Sequence, residues 1–301
     1  TPRENDVVPL DVVEAPLSLP GHIADLRARA ASSDDTVDAQ LAATLLALMA
    51  REGITSAQPE RWLGAGGTPT TDEEYQGDVK LSPSQFERAL ACPLRWFLTT
   101  IGADGPSNAA ASLGTLVHAL AEENLHGTPE ELTEALEARI EELGYNLDTW
   151  AGRVADRHAR EIVNNLASYV VGVPGEVTVE QTVSSEVEGV TIRGRMDRLE
   201  QVDEGVRVTD LKTGKSGYTK ASVAENPQLA AYQMAMLASG EKVAGARIAL
   251  LGGSKPQIYD QPALQGEELE RWRESVREVA LSARGPYFEA RPSQEACRYC
   301  S

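Results

Sequence analysis

Two stretches decide the reading: Gly194-Arg195-Met196-Asp197-Arg198-Leu199, and Val208-Thr209-Asp210-Leu211-Lys212-Thr213-Gly214. They lie within Val187–Val202 and Gly205–Lys212, which carry β-branched residues at a period of two and read as strands joined by a turn at Asp203-Glu204-Gly205. If Asp203 and Glu204 form a two-residue loop, Val202 pairs with Gly205 and Asp197 falls opposite Asp210. Two carboxylates facing each other across a strand pair repel. The arrangement persists most easily with a cation between them, and Mg²⁺ or Mn²⁺ accepts such oxygen ligands. Lys212 is two residues past Asp210 and so shares its face. An ammonium there can position an attacking water or stabilise charge on a phosphate. A charged surface hairpin can also carry Asp-x-Lys, so this spacing alone leaves both readings open.

The fold class follows outward from the hairpin. Glu176–Val183 reads as a preceding strand, and Asn226-Pro227 opens a helix that ends near Gly240. Arg247–Leu251 reads as a short buried strand and 266–284 as an amphipathic helix. Upstream, Ser82-Pro83-Ser84-Gln85 forms a capping-box signature for a helix running to Ala91, where it meets Cys92-Pro93. Ser112–Val171 reads as helical, broken near Gly127-Thr128-Pro129 and Gly144. The order predicts an α/β fold, a mixed β-sheet flanked by helices, over residues 76–301. Residues 1–75 read as a helical N-terminal arm, Ala- and Leu-rich over Thr36–Met49, followed by a linker over Leu63–Gln76.

Composition narrows the function classes. The chain has 301 residues and a net charge of −18, which argues against broad, nonspecific attraction to nucleic acid. Thr191–Lys220 departs from that balance, with seven basic and five acidic residues. No apolar run approaches a membrane span; the longest, Leu41–Ala50, reads as a buried helix. Three cysteines and no visible secretory signal predict a reducing, cytoplasmic setting. A start at Thr1 and an end one residue past Cys300 are expected of a piece of a longer polypeptide.

These residues resemble the RecB-like branch of the PD-(D/E)xK nucleases, whose fold is restriction-endonuclease-like. Gly194–Arg198 matches its Gly-x-x-Asp-Arg motif, Asp210-Leu211-Lys212 its Asp-x-Lys strand, and Gln228-Leu229-Ala230-Ala231-Tyr232 its Gln-x-x-x-Tyr helix. Gly114-Thr115-Leu116-Val117-His118 matches the family's histidine-bearing helix. The resemblance implies that His118, Asp197 and Asp210 hold Mg²⁺ or Mn²⁺, with Lys212 assisting catalysis. It gives Gln228 and Tyr232 a role in DNA contact or support of the lysine. Glu180, on the strand before the hairpin, is a further acidic candidate.

Cys297 and Cys300 form a Cys-x-x-Cys pair, which alone fits zinc, a redox motif or neither. Cys92-Pro93-Leu94-Arg95-Trp96-Phe97 is similar to the corresponding segment of AddB- and AdnB-type subunits. That likeness implies a 4Fe-4S cluster on Cys92, Cys297 and Cys300, with a fourth cysteine absent from this chain. By resemblance to AdnA, AdnB and AddB helicase–nuclease subunits, the arm is expected to join an upstream helicase motor. No Gly-x-x-x-x-Gly-Lys-Ser/Thr loop occurs, so any ATPase activity is expected outside this chain. The implied function is hydrolysis of single-stranded DNA, alone or with a second helicase–nuclease subunit, during double-strand break repair and recombination. The alternatives are a catalytically silent nuclease-fold module that guides DNA or holds a partner, and a zinc-stapled interaction domain.

Overall fold

The computed structural model describes residues 18–59, 73–102, 109–173, 175–215, 217–293 and 297. They divide into two compact units, Thr1–Asp72 and Glu73–Ser301. The first contains α1 (Leu19–Ser32), α2 (Thr36–Arg51) and a 3-10 turn over Thr55–Ala57. Asp35 caps α2 by accepting the Val37 N–H at 2.9 Å. Its core is small: Ile23, Leu26, Ala42, Leu46 and Ala57. The expectation of a buried helix over Leu41–Ala50 is therefore corrected to one buried only at Ala42 and Leu46. Two helices cover only their facing stripe, and Leu41, Leu45 and Leu48 are exposed.

The second unit opens with β1 (Val79–Leu81), α3 (Pro83–Ala91) and α4 (Pro93–Thr100). Ser82 and Gln85 form the expected capping box, with bonds of 3.1 and 2.9 Å. Pro93 then starts a second helix at once, so the chain turns at Cys92 and stays helical. Next come α5 (Ala109–Glu123), α6 (Pro129–Arg139) and α7 (Trp150–Val171). The strands β2 (Val177–Val187), β3 (Val190–Val202) and β4 (Gly205–Lys212) follow. After them lie α8 (Lys220–Ala224), α9 (Pro227–Ala238), β5 (Val243–Leu250), β6 (Gln257–Pro262) and α10 (Gly266–Ala283).

The six strands form one mixed sheet in the order β1-β3-β4-β5-β6, with β2 also paired to β3. β1 runs parallel to β3 and β4 parallel to β5, while the other pairs are antiparallel. α3, α9 and α10 pack on one face in a core that includes Phe86, Met196, Leu199, Val208, Leu229 and Trp272. α5, α6 and α7 build a second core, which Leu211, Ala249 and Leu251 join from the sheet. This is the expected architecture, a mixed sheet between helical layers. α9 is buried from Gln228 to Met236, so any polar group on it must find a partner inside the protein.

Candidate active site

Asp197 occupies a gap in the sheet. The β3–β4 ladder runs from Val202↔Gly205 to Arg198↔Thr209 and stops there, one position short of Asp197 and Asp210. The β2–β3 ladder pairs Val179 with Arg198 and Gln181 with Met196, and skips Glu180 and Asp197 between them. Asp197 is therefore unpaired toward both neighbouring strands. Its Oδ2 instead accepts the Leu211 N–H at 2.7 Å, which closes the gap with a side chain. The strand also changes its facing here. Val190, Ile192 and Met196 join the α9-side core, whereas beyond Asp197 it is Leu199 that does so.

Glu180, across the gap, has φ +52°, a left-handed conformation that costs a residue with a Cβ about 1–2 kcal/mol. Such strain is retained where surrounding structure enforces it, commonly at functional sites. Here it interrupts the ladder and brings the Glu180 carboxylate beside Asp197. His118, on α5, completes the group, with its Nδ1 3.1 Å from Asp197 Oδ1. One ligand atom from each of His118, Glu180 and Asp197 lies within 4.8 Å of the others. Among the described residues no cysteine joins such a group.

Asp210 and Lys212 lie alongside. Asp210 is buried, and its Oδ1 accepts from Gln228 Nε2 at 2.9 Å. The Lys212 ammonium is 2.8 Å from Asp210 Oδ2 and donates to Gln228 Oε1 at 3.2 Å. Gln228 thus holds both ends of the pair from the first turn of α9. Tyr232, one turn further along α9, donates from its hydroxyl to the Arg195 carbonyl at 2.8 Å. Both motif residues of α9 therefore brace the strands from inside. Gly194 is needed for this packing, because a Cβ there would lie 2.6 Å from Pro83 Cδ and 3.0 Å from Tyr232 Cε1.

Burial pushes Asp210 above the ordinary carboxylate range, and the neighbouring Asp197 charge adds to this against the opposing Lys212. Burial acts to lower Lys212, but the Asp210 carboxylate outweighs it and holds the ammonium charged. Burial likewise acts to lower His118, and the Asp197 hydrogen bond and charge raise it overall. Two carboxylates and an imidazole suit a hard divalent cation. The expected ligand set of His118, Asp197 and Asp210 is thus distributed differently: Glu180 gathers with the first two, and Asp210 pairs with Lys212.

The other side of β3 carries a buried ionic network. Arg198 is fully buried and donates to the Leu125 carbonyl at 3.1 Å, tying β3 to the segment after α5. Glu200, also fully buried, accepts from the Tyr169 hydroxyl, with Arg207 at 4.0 Å and Arg247 at 3.9 Å. Desolvation lowers Arg198, and burial followed by the Glu200 charge raises Tyr169.

Sequence reasoning missed Arg195 and Glu122. They line an open cleft of about 470 Å³ together with Gly114, Thr115, His118, Ala119 and Glu180. The available signal was spacing: Glu122 is four residues after His118 on a helix, and Arg195 two before Asp197 on a strand. The cysteine expectations fare differently. Cys92 is buried, with the Arg291 N–H 3.4 Å from its sulfur; Cys297 is exposed; Cys300 is outside the described residues.

Residues 80–301 match the family model described as the PD-(D/E)XK nuclease superfamily. No curated protein matches the chain. Among solved structures, the chain is similar to a candidate exonuclease of Eubacterium rectale, with 14% identity and a TM-score of 0.46, over 78% of this chain and 94% of that one. It is also similar to the protein SSO0001, with 13% identity and a TM-score of 0.37, over 87% and 93% of the respective chains. At these levels neither likeness bears on chemistry. Among the described residues no helix is long and apolar enough to cross a membrane.

Proposed function

Because the chain belongs to the PD-(D/E)XK nuclease superfamily, we propose that it is a divalent-metal-dependent deoxyribonuclease acting on single-stranded DNA. The observation that carries this is the convergence of His118, Glu180 and Asp197 beside the Asp210–Lys212 pair. His118, Glu180 and Asp197 would hold Mg²⁺ or Mn²⁺, while both Asp210 oxygens are engaged, one by Lys212 and one by Gln228. When bound, the ion supplies Lewis-acid stabilisation of the charge that develops on the phosphate. Lys212 is held charged and would stabilise that same charge or orient the attacking water. Gln228 fixes the lysine's direction, and Leu211 N–H fixes that of Asp197.

The resemblance to AdnA-, AdnB- and AddB-type subunits extends the proposal to a role in double-strand break repair and recombination. A helicase motor, with or without a second subunit, would deliver the strand. Delivery accounts for a net charge of −18 on a DNA-cutting protein, since the strand need not be captured by diffusion alone. A 4Fe-4S cluster has no support among the described residues, where Cys92 is buried against Arg291 and Cys297 is exposed. No step is assigned to it.

End-labelled single-stranded DNA with Mn²⁺ tests the proposal. Wild type should cleave it, and Asp210→Ala should abolish cleavage with an unchanged circular dichroism spectrum. Asp197→Ala should lose both cleavage and Mn²⁺ binding. Undiminished cleavage by Asp210→Ala would sink the site assignment, and a wild type that binds no metal would favour a silent module.

A further inference from the structure

Arg195 has a place at the site and no part in the chemistry assigned so far. Its guanidinium pairs through Nε with Glu180, and its Nη2 lies 3.2 Å from Glu122 Oε2. The pairing is lopsided in exposure: the Arg195 side chain is 58% exposed and that of Glu180 only 14%. The arginine reaches in from solvent toward a carboxylate that is walled in. Its backbone is fixed from the other side by the Tyr232 hydroxyl. The side chain thus extends from an anchored base into the cleft that His118 and Glu180 line.

Glu180 has two cationic claimants. Without a divalent ion, a half-enclosed carboxylate next to Asp197 needs a counter-charge, and Arg195 provides it. An ion held by His118, Glu180 and Asp197 would take over that role and would repel the guanidinium. We propose that Arg195 is a displaceable counter-ion: it neutralises Glu180 in the metal-free site, and on metal binding it moves into the cleft to hold a DNA phosphate. Phosphate suits it, since a guanidinium offers paired donors in a fork that matches phosphate oxygens. A local cation is also what a chain of net charge −18 needs at the point of DNA contact. Metal and DNA then bind cooperatively, because each favours the same released arginine. This inference rests on the metal-dependent nuclease reading.

The test uses the whole chain in four forms: wild type, Arg195→Ala, Arg195→Lys and Arg193→Ala. Arg193 is exposed two residues away on the same strand and serves as a charge-matched control. Calorimetric titration with Mn²⁺ and no DNA should show Arg195→Ala binding about fivefold more tightly, the effect of one unit charge at contact distance in a wet cleft. Arg195→Lys and Arg193→Ala should match wild type. Anisotropy of a labelled single-stranded oligonucleotide supplies the second readout. In Ca²⁺, Arg195→Ala should bind it more weakly, with a log–log salt slope shallower by about 0.7. In EDTA, where Glu180 occupies the arginine, the substitution should make no difference.

Equal Mn²⁺ affinity in wild type and Arg195→Ala, or an equal gain in Arg193→Ala, overturns the inference and leaves the nuclease reading standing. So does an oligonucleotide defect of the same size in EDTA. Absence of Mn²⁺ binding in both wild type and Arg195→Ala overturns both.

Discussion

His118 meets two opposing demands. As a ligand it must be neutral, yet Asp197, 3.1 Å away, favours its protonated form and raises its pKa despite burial. In the metal-free protein the His118–Asp197 pair contributes stability that is fully present below the unfolded imidazole value of about 6.5. That contribution is lost as pH rises through the higher folded value. Metal binding runs the other way, because a proton must leave first. Mn²⁺ affinity should therefore climb with pH beyond the ordinary histidine range, by at most about tenfold per unit if one proton is released. Calorimetry in buffers of differing ionisation enthalpy would count that proton, and a pH-independent affinity would remove His118 from the ligand set. At this scale the sequence was informative for residues whose chemistry needs a fixed spacing. Asp210, Lys212, Gln228 and Tyr232 converge because i, i+2 on a strand and i, i+4 on a helix each share a face.

The hairpin register was legible because a two-residue turn fixes it, and Val202 does pair with Gly205. Period-two alternation made β3 and β4 visible for the same reason. β1 has only three residues and β6 has a largely exposed pattern, so neither offers enough periodicity to read. α4 was hidden by Cys92-Pro93, which reads as a stop and acts as a restart. The interruption at Glu180 was also invisible, since neither Gly nor Asn marks its left-handed backbone. Glu180→Gly isolates what that conformation does. Glycine adopts φ +52° freely, so relief of strain should stabilise the metal-free protein by about 1 kcal/mol. The lost Arg195 pair offsets little of this, being solvent-exposed on the arginine side. For a unit of this size the gain is a rise in Tm of about 3 °C. Mn²⁺ binding should weaken at the same time. A lower Tm would mean that the ladder gap is not strained, and unchanged metal affinity would mean that Glu180 is not a ligand.

At the scale of the molecule, the net charge pointed away from DNA while the motif segment pointed toward it. The two readings differ because charge is unevenly distributed: the segment Thr191–Lys220, which bears Asp197 and Asp210, carries seven basic residues. The division of the chain has a more direct consequence. Every residue assigned to the site, and both large cores, lie in Glu73–Ser301. The described core of Thr1–Asp72 is five small or aliphatic residues beneath two helices. A unit with so little buried apolar surface is marginal alone, whereas one with a six-stranded sheet covered on both faces is not. A protein comprising residues 73–301 should therefore fold, melt cooperatively at the principal Tm of the whole chain, and bind Mn²⁺ with the same affinity. Its cleavage of single-stranded DNA should match that of the whole chain, since no arm residue enters the proposed chemistry. Differential scanning calorimetry, Mn²⁺ titration and the end-labelled cleavage assay check the three parts in turn. Intact folding and metal binding with lost cleavage would assign the first unit a part in presenting DNA, whereas failure to fold would contradict the self-sufficiency of the two cores.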